Sequence, residues 1–536
     1  MTGAMTGTAT RATAGRARGV LSSIEAMARR ATARRGAYAL VVGGAVVLAA
    51  LLRLPHLGTN PGWDGDEGYN LNIATNLAAG RHQMFALDYA FVQHPPLFFL
   101  LAAALFSILP VGMTALRLLA VIFALGTIPL LTAVAAQLVG DDRAAGRRTG
   151  ALAALVYAVL PVVVVQNRFG YTYNGLAFWT MLALYAVLRQ RNGGGPVALL
   201  GAALATTAAL TTDQEGVYLL PVLFFFLRGP VLTRVGAVAV ALSGPALYIA
   251  VMAWNDHAAL LFDITHTAGR VTGGGISAQI TVWLAALVHL MEFDPSILPG
   301  LVGLWLLPAR GGRRVVIFLL AAMLGVILKV RDPNPLFRAA EPLLPLICLG
   351  LGAVLARAWE AAAAARDRRA RPLAATLCGL ALLVAAVADG ADALTTLPTA
   401  IPGLLPRSTA GATRMAARVN LCLRPDDLVL AMPQISWLFH ARTAEVLQAV
   451  AVTGQASAFY PAGLSPSRWV YDPHLVAARY LVVDDFTRAW IGQQALERAI
   501  VQKAETTWRR VYRQGEYTVY ENPAHAPRDE RGCARL

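Results

Sequence analysis

The feature that most limits this chain is a series of long apolar stretches between Tyr38 and about residue 388, separated by short loops rich in arginine. The first is Tyr38–Leu54. Others follow at about 96–109, 114–139, 150–166, 175–188, 196–211, 216–227, 231–254, 279–291, 295–309, 315–330, 336–356 and 372–388. A helix needs about 20 apolar residues to cross the hydrocarbon of a bilayer. Of 536 residues, 57% are hydrophobic and only 14% charged, against roughly 25% charged in a soluble domain. A soluble fold of this size needs a larger polar shell. Disorder requires few apolar residues, and four cysteines are too few for a disulfide scaffold. The composition predicts a polytopic α-helical membrane protein with a smaller polar part.

The net charge of +15 does not point to nucleic acid, because of where the charge lies. Arg11, Arg16, Arg18, Arg29, Arg30, Arg34 and Arg35 precede the first apolar run. This basic flank belongs in the cytoplasm by the positive-inside rule. No small-residue cleavage site follows the run, so it reads as an uncleaved span, with Arg53 snorkelling at its end. The basic loops at Arg143, Arg147 and Arg148 and at Arg189 and Arg191 must share the cytoplasmic side. That holds only if 96–109 lies on the outer face without crossing, and 279–291 is demoted in the same way. About eleven spans result, with the N-terminus inside and the C-terminus outside.

Three segments are expected: a basic tail over 1–36, a membrane part over 37–390, and a small extracytoplasmic α/β domain over 391–536. In the last, "YLVVDD" reads as a buried strand, "FTRAWIGQQALERAIVQKA" as an amphipathic helix and "WRRVYRQGEYTVYE" as a hairpin turning at Gln514-Gly515. Cys422 and Cys533 both lie there as a candidate pair, whereas Cys348 and Cys378 sit in apolar spans.

The loop after the first span is the most informative for chemistry. It places Asp64, Asp66 and Glu67 just above the membrane, flanked by Trp63 and Tyr69, with His94-Pro95-Pro96 about 30 residues later. Clustered carboxylates suit proton transfer at an outer interface. Other candidates on that side are Asp213 and Glu215 in "TTDQEG", and Asp256, His257, His266 and Arg270 in a loop that ends in Gly273-Gly274-Gly275 and reads as mobile. Arg331, Arg338 and Glu341 mark the outer start of a late span. The His257–His266 spacing matches no strong metal pattern.

Asp66-Glu67 after the first span, then "HPPL", Arg117 opening the next helix, Pro161 with Asn167-Arg168, and "FRAAEPLLPL" resemble the GT-C glycosyltransferases. The branch is that of the protein O-mannosyltransferases and lipid A aminoarabinose transferases (glycosyltransferase family 39-like), over roughly residues 37–390. The resemblance implies transfer of a hexose or pentose from a polyprenyl-phosphate donor to a glycan, lipid or protein acceptor. The site would face outward from the plasma membrane, and the transfer would proceed with inversion. It implies Asp66 as the catalytic carboxylate with Glu67 supporting it, and His94, Arg168 and Arg338 on the phosphate or acceptor. Many relatives carry a second Asp where this chain has Asn174. An amide can bind a sugar but is no base at neutral pH, and Asp213 or Glu215 would have to replace that acid. The lipid-linked sugar is a substrate, and no resident cofactor or metal is indicated. A transporter or flippase is the alternative, but it would place charges mid-span and show two related halves. A third reading makes the tail the working part of a non-catalytic assembly protein.

Overall fold

The computed structural model describes residues 36–81, 94–139, 143–272, 294–308, 312–327, 340–364 and 409–525, except 458–459, 465–468, 470 and 492–493, together with scattered positions in 280–291 and residue 387. The basic arm, the expected spans at 279–291 and 372–388, Gly273–Gly275, Arg331, Arg338 and Cys533 lie wholly or mostly outside the described residues.

Among the described residues, the regular structure of the membrane part is all helical. Its elements are α1 (Gly36–Arg53), α2 (Gly65–Ala78), α3 (Leu97–Phe106), α4 (Met113–Val139), α5 (Arg143–Val159), α6 (Pro161–Gln166), α7 (Thr172–Arg191) and α8 (Gly195–Thr212). A 3-10 turn at Gln214–Tyr218 leads into α9 (Leu219–Phe226), α10 (Val231–Thr272), α11 (Ile297–Gly303), α12 (Gly312–Ile327) and α13 (Leu344–Ala364). Among the described residues, five helical stretches are long and apolar enough to cross a membrane: Gly36–Arg53, Met113–Val139, Gly195–Thr212, Val231–Asn255 and Glu341–Ala362. With 10 residues, α3 spans about 15 Å, half of a ~30 Å hydrocarbon core. Its length therefore fits the expected non-crossing helix.

Small residues let these helices approach closely. Ala45 and Ala49 of α1, Ala124 of α4, Ala153 and Ala154 of α5 and Ala202 of α8 are fully buried in one core with Ile128, Leu184 and Leu346. A Cβ added at Gly350 would lie 1.9 Å from the Gly300 carbonyl oxygen, so α11 and α13 cross backbone to backbone.

One expectation is overturned here. The segment after Trp254 is a continuation of α10 as far as Thr272, not a loop. Asn255, Asp256 and His257 are polar but helix-compatible, and no glycine or proline interrupts the chain before Gly269. Apolar residues such as Met252 and Leu260 then bury a stripe of the extended helix.

The polar tail holds α14 (Thr409–Asn420), α15 (Pro433–Ser436), α16 (Val446–Ala451), α17 (Asp485–Ile491), α18 (Ala495–Thr507) and a five-stranded sheet. The strands are β1 (Leu428–Leu430), β2 (Arg442–Ala444), β3 (Ala478–Val483), β4 (Arg509–Gln514) and β5 (Tyr517–Glu521), in the order β2-β1-β3-β5-β4. β1 is parallel to β2 and β3, while β3–β5 and β5–β4 are antiparallel. Gln514 pairs with Tyr517, and Gly515 at φ 58° takes the left-handed position in the turn. The single amphipathic helix expected after "YLVVDD" is two helices, α17 and α18.

Strand alternation decides what the sheet covers. In β3, Leu481 and Val483 face a core shared with Val501 and Ala504 of α18. Tyr480 and Val482 face the opposite way, into a core shared with Leu71 of α2, Phe98 and Phe99 of α3 and Leu116 of α4. The tail is thus seated on α2 and α3. Gly68 of α2 is a point of close approach. A Cβ there would meet the Pro433 carbonyl carbon at 2.3 Å and the Gln434 nitrogen at 2.4 Å, and neither backbone atom can yield cheaply.

Candidate active site

The helix that carries the acids begins with a capping box. Asp64 is the N-cap, accepting from the Asp66 backbone N–H at 3.0 Å, while Glu67 accepts from the Asp64 backbone N–H at 3.3 Å. The box leaves Asp66 exposed in the first turn and turns Glu67 inward until it is fully buried. A helix N-terminus favours negative charge at the Asp66 position.

Glu67 is gripped by Arg117 at the start of α4. Nε donates to Oε1 at 2.7 Å and Nη2 to Oε2 at 2.6 Å, with both side chains fully buried. The remaining guanidinium protons go to the carbonyls of Leu57, Pro61 and Gly62. All five donors of Arg117 therefore serve this one loop. The Gly170 backbone N–H adds a 2.7 Å bond to Glu67 Oε1. Burial pushes the Glu67 carboxyl up, and Arg117 and the Gly170 amide oppose that rise. Sequence reasoning grouped Glu67 with Asp66 as its supporting acid, and here its carboxylate is fully buried against Arg117 and the Gly170 N–H.

Two further arginines are buried nearby: Arg168 holds the same loop, and Arg53 ties α1 to α5. Arg168 donates to the carbonyls of Leu52, Pro55 and Asn60 at 2.7–3.2 Å and is 1% exposed. These partners are loop carbonyls, whereas the expectation from sequence was a phosphate contact. Arg53 does not snorkel. It is fully buried and donates to Asn167 Oδ1 and to the carbonyls of Ala49, Tyr157 and Ala158. Such a residue reads in sequence as an ordinary interfacial arginine, and only the fold shows which carbonyls come within its reach.

The loop between α6 and α7 brings several candidates together. Gly170 binds Glu67, and Asn167 Nδ2 donates to Asn174 Oδ1 at 2.8 Å and to Glu341 Oε1 at 3.3 Å. Asn174 in turn donates to the carbonyls of Gln166 and Phe169 and is 1% exposed, so it braces this loop. Two residues beyond Gly170, the Thr172 hydroxyl donates to Asp213 Oδ2 at 2.7 Å. Asp213 also accepts from the Glu215 backbone N–H at 2.9 Å. Burial pushes Asp213 up to about 6 and pushes Glu215 up as well, with the nearby Asp213 charge adding to it. Glu215 Oε2 is sealed without a hydrogen-bond partner among the described residues.

His94 stands apart from this cluster. Its ring meets Phe99 edge-on at 5.8 Å, and its carbonyl accepts from the Tyr248 hydroxyl of α10 at 3.1 Å. His266 and Arg270 lie on α10, but their side chains are outside the described residues, as is Arg338. Among the described residues no group of three metal-binding side chains occurs.

The tail adds a residue that sequence reading missed. Glu445, 2% exposed, accepts from the Tyr69 hydroxyl of α2 at 2.8 Å and from the Tyr460 hydroxyl at 3.3 Å. Burial pushes its carboxyl up to about 7 despite both hydrogen bonds. A raised folded-state value means that the protonated form favours the docked tail. The stabilisation is complete below the ordinary value of 4.5 and is lost as pH rises through about 7. Tail docking measured by limited proteolysis should therefore be firmer at pH 5 than at pH 8, and Glu445→Gln should remove the difference. A pH dependence that persists in Glu445→Gln would assign the effect to another group.

ArnT from Cupriavidus metallidurans, bound to undecaprenyl phosphate, superimposes with a TM-score of 0.60 over 92% of this chain and 99% of that chain, at 15% identity. The two chains share a fold. The archaeal oligosaccharyltransferase AglB from Archaeoglobus fulgidus, in complex with an inhibitory peptide and a dolichol-phosphate, gives a TM-score of 0.54 at 12% identity, over 92% of this chain and 75% of that one. The family described as dolichyl-phosphate-mannose-protein mannosyltransferase matches residues 93–254. No curated protein sequence matches. The GT-C resemblance read from Asp66-Glu67, "HPPL" and Arg117 thus agrees with the three-dimensional likeness.

Proposed function

We propose that this protein transfers a sugar from a polyprenyl-phosphate donor to an acceptor hydroxyl at the outer face of the plasma membrane, with inversion at the anomeric carbon. The observation that carries the reading is Asp66. It is an exposed carboxylate at the first turn of a helix whose next acid is locked to a buried arginine, in a chain of GT-C fold. The lipid phosphates bound by ArnT and AglB support a polyprenyl-phosphate donor.

In the proposed reaction the Asp66 carboxylate takes the proton of the acceptor hydroxyl. The freed oxygen attacks the anomeric carbon through an oxocarbenium-like transition state. The bond from that carbon to the phosphate oxygen breaks, and polyprenyl phosphate leaves with the electron pair. Charge on the leaving phosphate requires a cation. Arg168 is committed to carbonyls, so Arg270 and Arg338 become the first candidates for it. Asp213 and Glu215 are secondary candidates for the acid role. The test is turnover of radiolabelled polyprenyl-phosphate sugars by purified protein in lipid. Label should move to an acceptor. Label that crosses the bilayer while still on its carrier would favour the flippase reading instead.

The proposed topology keeps about eleven spans, a cytoplasmic N-terminus and the tail outside. Ala144 and Ala462 are both exposed and offer reporter positions. A cysteine at Ala144 should react with impermeant maleimide only from the cytoplasm, and one at Ala462 only from outside. Labelling of both from one face would overturn the topology.

A further inference from the structure

Where the tail meets the far part of α2, the two line an open cleft of about 580 Å³, with Val111 and Gly112 completing its wall. That volume falls in the range of roughly 300–1,000 Å³ typical of small-molecule sites. From α2 come the amides of Asn72 and Asn76, and Arg81 lies just beyond the helix end. From the tail come the rings of Trp437 and Tyr471 and the side chains of His440 and Arg442. Among the described lining residues there is no Asp or Glu.

Each group has a use toward one kind of ligand. Trp437 is fixed, since its indole N–H donates to the Gln434 carbonyl at 2.9 Å and its ring meets Trp63 edge-on at 5.1 Å. A fixed aromatic face suits the C–H surface of a pyranose ring. Amides and guanidinium groups suit hydroxyls and carboxylate or phosphate groups. The Arg442 guanidinium sits 6.0 Å over the Tyr471 ring, which pre-orients it. The cavity does not coincide with the Asp66 end of α2. Asn72 and Asn76 lie six and ten residues further along the helix, about 9 and 15 Å of rise.

We infer that this cavity between α2 and the tail binds an anionic saccharide and serves as the acceptor-side subsite of the transfer. The inference rests on the transferase reading for its role but not for its binding. A saccharide seated there lies within two or three sugar rings of Asp66, so the tail selects the acceptor by charge while α2 presents the base.

The test is calorimetric binding to full-length protein in nanodiscs, with trigalacturonate as the free anionic saccharide, a sialylated ganglioside as the lipid-borne one and maltotriose as the neutral control. Arg442→Gln combined with Arg81→Gln should weaken binding of the anionic probe at least tenfold. Trp437→Leu should weaken it as well, with the melting temperature checked alongside. Binding of either anionic probe supports the site, and the preferred one identifies its source. Equal binding of maltotriose, no binding of either anionic probe, or unchanged binding in the arginine variants overturns it. Asp66→Asn should bind trigalacturonate normally. Normal binding with no turnover in the unmodified protein would reject the transferase reading while leaving the saccharide site intact.

Discussion

Asp66→Asn is expected to lower turnover by about 10²–10⁴-fold, the usual loss when a general base is removed. The substitution keeps shape and hydrogen bonding and removes only proton acceptance, so folding and donor affinity should be little changed. Asp66 is exposed, and a charge at an exposed helix N-terminus contributes only about 0.3–1 kcal/mol to stability. Asp64→Asn is the control two residues away. Asparagine caps a helix about as well as aspartate, so that variant should be nearly silent. The competing acids are Asp213 and Glu215, whose carboxyls burial holds above the ordinary range. Full turnover in Asp66→Asn together with loss in Asp213→Asn or Glu215→Gln would move the base to the turn after α8.

How much of this was legible in the sequence differs by kind of signal. Apolar runs and their arginine-rich loops are one-dimensional signals, and of the eleven or so spans they predict, five are described helices long and apolar enough to cross a membrane, beside the short α3. The continuous apolar run in "YLVVDD" gave β3, buried on both faces, and glycine gave the hairpin turn. The acidic loop was legible because clustered carboxylates beside Trp63 are uncommon next to a membrane. The fates of Arg53 and Arg168 were not legible. An arginine at the end of an apolar run has the same sequence signature whether its head reaches water or backbone carbonyls more than 100 residues away. The extent of α10 was misread because polarity was taken for a loop, although helices tolerate exposed polar residues. Glu445 was missed because its partner Tyr69 lies 376 residues away, and no local pattern reports such a distance.

The second large effect is expected at Arg117, through position rather than chemistry. Removing one partner of a buried ion pair costs about 3–5 kcal/mol, because the other charge is left without compensation. Arg117→Ala would strand the Glu67 carboxylate and also release the carbonyls of Leu57, Pro61 and Gly62. The loop that delivers Asp66 would lose its anchor, so both melting temperature and turnover should fall. Arg117→Lys should rescue little, since an ammonium cannot make the bidentate pair and reach three carbonyls as well. Glu67→Gln should also destabilise the protein, by leaving a guanidinium without its anion. The double variant Arg117→Met with Glu67→Gln removes both charges. Its loss should therefore be smaller than the sum of the single losses, with a coupling of about 0.5–3 kcal/mol. Strict additivity in that cycle would mean that the pair is not what holds the loop. A melting temperature that falls in Arg117→Ala while turnover of the remaining folded protein stays normal would separate the clamp from the catalytic position of Asp66.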